Sequence, residues 1–173
     1  MKKKAGRVAL GGMLAALALA FSFLEGLLPP LPGMPPGARL GLSNIVTMYA
    51  AGSLGLPWGL GLALVKGGFA LLTRGLAAGT MSLCGGLAST GCMWLLLKKT
   101  PVSLGITGVC GALAHNGAQL GAAVYLTSGA ALGYVPALLV FSLFSGMLTG
   151  AVLKLTLPAL ERAARWLEGP PKA

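Results

Sequence analysis

A single lysine stands inside a long apolar segment. Lys66 lies about midway between Pro57 and Arg74, roughly 12 Å from either one if the segment is helical. A charge at that depth in a bilayer costs at least about 2.5–3.5 kcal/mol unless it is paired or hydrated. Two interpretations remain open. Lys66 is either a snorkelling lysine or structural partner of Glu25, or it lines a polar cavity that binds an anionic or carbonyl-rich ligand.

Two other apolar segments carry polar side chains at helical spacing. The first segment has Ser43, Asn44 and Thr47, and the second has His115, Asn116 and Gln119. In a helix each set falls within an arc of about 100°. Such faces either line a shared polar cavity or join helices through interhelical hydrogen bonds, which contribute about 0.6 kcal/mol per pair.

The acidic residues are too few for phosphate or metal chemistry. The chain has three acidic residues, all Glu, one His, and no GxxxxGK[ST] phosphate loop. It also lacks the aspartate-rich motif of a magnesium-dependent prenyl transferase. We therefore expect no ATP hydrolysis by this chain, no catalytic residues, no cofactor and no metal site. The three cysteines fit no zinc spacing, so they are interpreted as small packing residues.

The composition predicts an all-α integral membrane protein. Hydrophobic residues make up 55% of the chain and charged residues only 9%, whereas a soluble domain carries about 25%. The predicted spans are residues 8–28, 42–56, 58–76, 79–97, 102–127 and 134–157, with an outer proline-rich loop at 29–41 and a cytoplasmic tail at 158–173. The break near Pro57 decides the count, because a continuous helix there would leave five spans.

The positions of the cations favour six spans over five. Six spans place most cations inside and leave only Arg39 and Arg74 outside, as the positive-inside rule prefers. The inner cations are Lys2, Lys3, Lys4, Arg7, Lys98, Lys99, Arg162, Arg165 and Lys172. We expect a multi-pass protein of the bacterial plasma membrane with both termini in the cytoplasm. Membrane lipid, not nucleic acid, is the expected surrounding partner.

The basic start followed by an apolar run also resembles a signal peptide, with residues 18–20 mimicking a cleavage site. The run is long enough to span the membrane, and the rest of the chain is equally apolar. We therefore expect the segment to be retained as the first span.

Charged residues at the predicted outer side have several possible roles. Glu25 ends span one and is a solvated interfacial carboxylate, a partner of Arg39 or a ligand contact. Arg39 and Arg74 either attract anions or mark the interface. Span one also carries Gly12, Ala16 and Ala20 at intervals of four residues. This small-residue stripe permits close helix contact, either internally or with another membrane protein.

Three stretches of sequence carry a family resemblance. They are Glu25 with residues 36–47 after the proline loop, residues 82–87, and residues 108–120. They resemble the LGL-x-N-I-V-T, S-L-x-G-G-L and G-A-x-x-H-N-x-G-Q stretches of the Gx transporter family, also named heptaprenyl diphosphate synthase component I. Ala118 stands where Gly is expected, and Arg39 where Lys is commoner. The resemblance covers about residues 8–157.

The resemblance implies a fold and a set of partners. The family is grouped with substrate-binding S components of energy-coupling-factor (ECF) transporters. This implies a six-helix bundle whose outer loop after helix one closes over the ligand. It also implies that the Gly12–Ala16–Ala20 face docks a transmembrane coupling subunit, while ATPase subunits are separate partners.

These features favour a substrate-capture subunit for uptake of a small anionic or vitamin-like molecule. The expected ligand-binding residues are Lys66, Asn44, His115, Asn116 and Gln119 in the pocket, with Arg39 and Glu25 in the lid. Three alternatives remain: a non-catalytic accessory of isoprenoid diphosphate metabolism, a structural subunit of a membrane complex, and an autonomous secondary transporter. The last is weakest, since Glu25 is the only deep carboxylate candidate and no inverted repeat is detectable.

Overall fold

The computed structural model describes residues 2–27, 41–127 and 129–168, which form six α-helices. The helices are α1 (Lys2–Leu27), α2 (Leu42–Ser53), α3 (Leu56–Arg74), α4 (Leu76–Lys99), α5 (Leu104–Leu126) and α6 (Val135–Glu168). A short 3-10 helix at Gly129–Tyr134 precedes α6. The prediction of an all-helical fold with six helices is confirmed, and the described part of the chain contains no strand.

Five long helices surround one short helix. Neighbouring helices pack in the cyclic order α1, α3, α4, α5, α6, and α6 packs back against α1. The short helix α2 packs against α1, α3, α4 and α6. Every residue from 43 to 51 is buried, as expected for a helix that is covered on all sides. Because α2 lies inside the ring, side chains on its first turn can contact the surrounding helices.

Four helical segments are long and apolar enough to cross a membrane. They are Lys4–Leu27, Leu56–Arg74, Leu76–Lys99 and Gly129–Leu167. Helix α2 has only 12 residues, too few to span about 30 Å of hydrocarbon. Helix α5 has 23 residues, but His115, Asn116 and Gln119 make it less apolar. The chain is a membrane protein, while six spans and cytoplasmic termini remain predictions.

The breaks between α2 and α3 and between α3 and α4 are at glycines with positive φ. Gly55 (φ 101°) separates α2 from α3, and Pro57 follows in the first turn of α3, where a proline costs no helical hydrogen bond. Gly75 (φ 86°) separates α3 from α4. The predicted break near Pro57 is therefore present, and it makes α2 a separate buried helix.

Helix α6 is longer than a bilayer requires. Its 34 residues continue through Pro158 and correspond to about 51 Å at 1.5 Å per residue. The residues assigned to a tail in the sequence analysis are therefore helical as far as Glu168. Leu160, Ala164 and Leu167 pack against the hydrophobic core, so this extension is part of the folded unit.

Helices α5 and α6 meet through glycines. A Cβ atom at Gly150 would lie 2.5 Å from the Leu104 carbonyl oxygen and 2.6 Å from the Gly105 Cα. Gly108 and Gly146 face each other in the same way. Small residues therefore let these two backbones touch. This contact fixes the position of the two helices relative to each other. It therefore also fixes the polar side chains that each helix carries beside these glycines.

Candidate functional site

A cavity of about 280 Å³ lies inside the helix bundle. All six helices contribute to its lining. Its polar and charged lining residues are Ser22, Glu25, Ser43, Asn44, Lys66, Arg74, Ser82, His115, Asn116, Gln119, Ser145 and Thr149. Met81, Met93 and Ala112 are among its apolar lining residues. Such a cavity, apolar in part with convergent polar groups, has the character of a small-molecule site.

Lys66 is the buried cation of this cavity. Its side chain is only 5% exposed, and its Nζ donates a hydrogen bond of 3.0 Å to Asn44 Oδ1. Lys66 lies near the middle of α3, and Asn44 lies in the first turn of α2. The hydrogen bond therefore joins the start of the central helix to the middle of a surrounding one.

Glu25 joins the end of α1 to the start of α2. Its Oε1 accepts a hydrogen bond of 2.6 Å from the Leu42 backbone N–H. The residue before α2, Gly41, has φ 81° and provides no side-chain cap. The Glu25 carboxylate thus satisfies a backbone amide that the first turn of a helix leaves without an intrahelical partner. Negative charge is also favourable at a helix N-terminus.

His115 lines the cavity and contacts Ser89 on α4. His115 Nδ1 lies 3.4 Å from Ser89 Oγ, and Ser89 Oγ donates to the Gly86 carbonyl oxygen at 3.1 Å. Ser89 Oγ therefore links the imidazole ring of His115 to the backbone of α4. Gly85 leaves room for this arrangement, since a Cβ there would lie 2.9 Å from the His115 carbonyl oxygen and 2.8 Å from Gln119 Cγ.

Asn116 is held by the sixth helix. Its Nδ2 donates to Ser142 Oγ at 2.7 Å, and Ser142 Oγ donates to the Leu138 carbonyl oxygen at 2.6 Å. Asn116 is 7% exposed and Ser142 only 1%. This chain of hydrogen bonds fixes the orientation of the amide group where Asn116 lines the cavity.

Six of the seven predicted ligand-binding residues meet at this one cavity. They are Glu25, Asn44, Lys66, His115, Asn116 and Gln119. Arg39 falls outside the described residues. Their role in binding a ligand stays a prediction, but their convergence from helices α1, α2, α3 and α5 is a structural fact. Glu25 is 6% exposed, so it is a buried helix-capping group and not a solvated carboxylate.

Helix α6 carries a third polar stripe that was not predicted from the sequence. Ser142, Ser145 and Thr149 are all buried on α6, and the last two line the cavity. Their spacing of three and four residues is the spacing that identified the stripes on α2 and α5. Arg74, Ser22 and Ser82 also line the cavity and were not predicted as ligand contacts. Thr47 is different, because its hydroxyl donates to the Ser43 carbonyl oxygen of its own helix.

The small-residue stripe of α1 faces outward. Gly12, Ala16 and Ala20 are exposed, and no neighbouring atom lies within 4 Å of a Cβ built at Gly12. Leu10, Leu14 and Ala18 form the buried face of the same helix. Of the two interpretations of the stripe, internal packing is therefore wrong within the described chain. The stripe is a smooth surface on the outside of the bundle.

Comparison with known proteins relates this arrangement to a family and a fold. The family model described as heptaprenyl diphosphate synthase component I matches residues 14–156. A solved structure of the S component of a bacterial ECF transporter has the same fold, with a TM-score of 0.67 at 18% sequence identity, over 90% of this chain and 95% of that chain. No curated protein sequence matches the chain.

Proposed function

This chain belongs to the family described as heptaprenyl diphosphate synthase component I, and we propose that it is the substrate-binding subunit of a small-molecule uptake transporter. The observation that carries the proposal is the cavity itself, with Lys66 buried near the middle of α3, a helix long and apolar enough to cross a membrane, and hydrogen-bonded to Asn44. The substrate-capture role is supported further by the S-component fold.

The charges of the cavity favour an anionic ligand. Lys66 and Arg74 contribute positive charge, Glu25 contributes negative charge, and Glu25 is engaged at the start of α2. A cation buried at this depth is costly unless polar groups, water or a counter-ion accompany it. A small ligand with a carboxylate, phosphate or carbonyl-rich end, such as a vitamin-like molecule, has the acceptor groups that two cations in one cavity attract.

Transport would require partner subunits. We propose that the outward-facing stripe of Gly12, Ala16 and Ala20 docks a transmembrane coupling subunit, because exposed small residues let a second helix approach closely. The chain has no phosphate loop, so separate ATPase subunits would provide the energy. The proline-rich loop with Arg39 would close the outer side of the cavity over the ligand.

The proposal is tested on protein purified from its own membranes in mild detergent. Native mass spectrometry is expected to show a bound small anion, and co-purification is expected to recover a membrane subunit and ATPases. A chain that emerges bare and stays empty when metabolites are added would contradict the proposal. Substitution of Lys66 by Ala provides the control for binding inside the cavity.

A second function is favoured by the description of the family model. The chain would then be a non-catalytic membrane accessory of isoprenoid diphosphate metabolism, with basic groups that hold a diphosphate head. In that case native mass spectrometry would detect a prenyl diphosphate, and deletion of the gene would change the chain length of cellular polyprenols or quinones. Unchanged chain lengths together with a bound water-soluble anion would exclude this alternative.

A further inference from the structure

Asn44 and Asn116 both line the cavity, but hydrogen bonds hold their amide groups in opposite orientations. The Lys66 ammonium group can only donate hydrogen bonds, so its contact of 3.0 Å must be to the amide oxygen of Asn44. The Nδ2 group of Asn44 is then the part left for a ligand. Asn44 Nδ2 and Lys66 Nζ are therefore two hydrogen-bond donors on the same wall of the cavity.

Asn116 is fixed the other way round. Ser142 Oγ uses its single proton in the hydrogen bond of 2.6 Å to the Leu138 carbonyl oxygen. Ser142 must therefore accept from Asn116, which requires Nδ2 to face Ser142 at 2.7 Å. The amide oxygen of Asn116 is then the part left for a ligand, and it can only accept. The α5–α6 side of the cavity thus presents an acceptor.

The two asparagines line different walls of one cavity. Asn44 and Lys66 belong to α2 and α3, which pack together, whereas Asn116 and Ser142 belong to α5 and α6, which pack together. The cavity volume of about 280 Å³ is just below the usual range for small-molecule sites, about 300–1,000 Å³. One compact molecule can therefore contact both walls at once.

We propose that the cavity selects a compact bipolar ligand, with an anionic or carbonyl group toward Lys66 and Asn44 and an N–H or O–H donor toward Asn116. The inference deepens the proposed function and rests on it. It adds that positive charge alone does not define the ligand. A second polar end is needed, because an acceptor group fixed inside an apolar bundle is costly to leave without a donor.

The first test is a thermal-melting screen of the full-length protein in detergent. The probes are water-soluble metabolites sorted into four classes: acids with an N–H or O–H donor at the far end, acids without one, amines without an acid group, and neutral molecules. The first class is expected to raise the melting temperature most. Strongest stabilisation by any other class overturns this inference and leaves the binding function standing. No stabilisation by any class contradicts both.

The second test is a matched pair of isosteric substitutions, titrated with the best-stabilising probe of the first class. Asn44→Asp replaces the ligand-facing donor by an acceptor beside Lys66, so affinity is expected to fall at least about tenfold. Asn116→Asp keeps the ligand-facing acceptor, and Ser142 can turn to donate to it, so the loss of affinity is expected to be clearly smaller than for Asn44→Asp even though the new charge repels the anionic end of the probe. Equal losses in both variants would overturn the inference.

A third variant keeps the test decisive if a buried carboxylate at position 116 prevents folding. Ser142→Ala removes the group that orients the Asn116 amide and adds no charge. We expect the variant to melt cooperatively and to discriminate less between acids with and without a far donor. Undiminished discrimination would show that the orientation of Asn116 does not set specificity, contrary to the proposal.

Discussion

Lys66 and Asn44, which are 22 residues apart, form a buried hydrogen bond of 3.0 Å between the middle of α3 and the first turn of α2. This contact explains how an apolar bundle holds a lysine that is only 5% exposed. It also places the ammonium group at a cavity and not toward lipid. Because α2 is short and central, its Asn44 reaches Lys66, and the buried ammonium group becomes a candidate ligand-binding group.

Lys66→Met is expected to abolish binding of an anionic ligand without loss of the fold. Methionine keeps the apolar stem and removes a charge that is costly to hold at this depth, so the helix bundle is expected to form. The checks are a thermal melt and a titration with the small anion identified in the purified protein. Lys154→Met, at an exposed lysine of α6, is the control and should bind normally. Wild-type affinity in Lys66→Met would remove Lys66 from the site.

Glu25→Ala is expected to loosen the start of α2. The variant loses a hydrogen bond between a charged acceptor and the Leu42 amide, a type of bond worth about 1.5–3 kcal/mol. Hydrogen exchange of the amides at residues 42–45 should accelerate accordingly, and Glu25→Gln should show a smaller effect because an amide oxygen can still accept. Glu161→Ala serves as the control, since its pair with Arg165 is exposed. Unchanged exchange in Glu25→Ala would show that the capping bond contributes nothing in solution.

Most of the helices could be predicted from the sequence, because apolar runs and the Gly and Pro residues that break helices are local features of the chain. Six helices and the break before Pro57 were predicted from the pattern of apolar runs, Gly, Pro and cations, and both are present. The length of α2 was harder to interpret. A helix of 12 residues buried on all sides has the same apolar composition as a membrane span, and only the packing of its neighbours tells the two apart.

The site was predictable where polar residues interrupt apolar runs. Lys66, Asn44 and Asn116 stand out by type, and the structure brings them to one cavity. Serine and threonine are common in membrane helices, so Ser145 and Thr149 gave a weaker signal although their spacing matches one helix face. The capping role of Glu25 depends on a contact across 17 residues, which no local pattern could reveal.

Gly85→Ala is expected to weaken ligand binding by displacing α5. A Cβ at this position would lie 2.9 Å from the His115 carbonyl oxygen and 2.8 Å from Gln119 Cγ, so the helix carrying both side chains must shift. Affinity for the identified anion should fall several-fold, and the melting temperature should also fall. The matched control is Gly91→Ala on the same helix, where no atom lies within 4 Å of the new Cβ. A tight-binding, stable Gly85→Ala protein would contradict the packing of α4 on α5.

Ala16→Leu is expected to separate binding from transport. Ala16 is exposed in the middle of the stripe on α1, whereas the cavity is inside the bundle, so a larger side chain would block close approach of a partner helix and leave the ligand site intact. Uptake by cells and co-purification of the coupling subunit should both be lost, while the titration of the purified chain stays at the wild-type affinity. Leu139→Phe, which enlarges an exposed apolar residue on α6, is the control and should support full uptake. Normal uptake by Ala16→Leu would assign the docking surface to another face, and lost ligand binding would show that the substitution had disturbed the fold of α1.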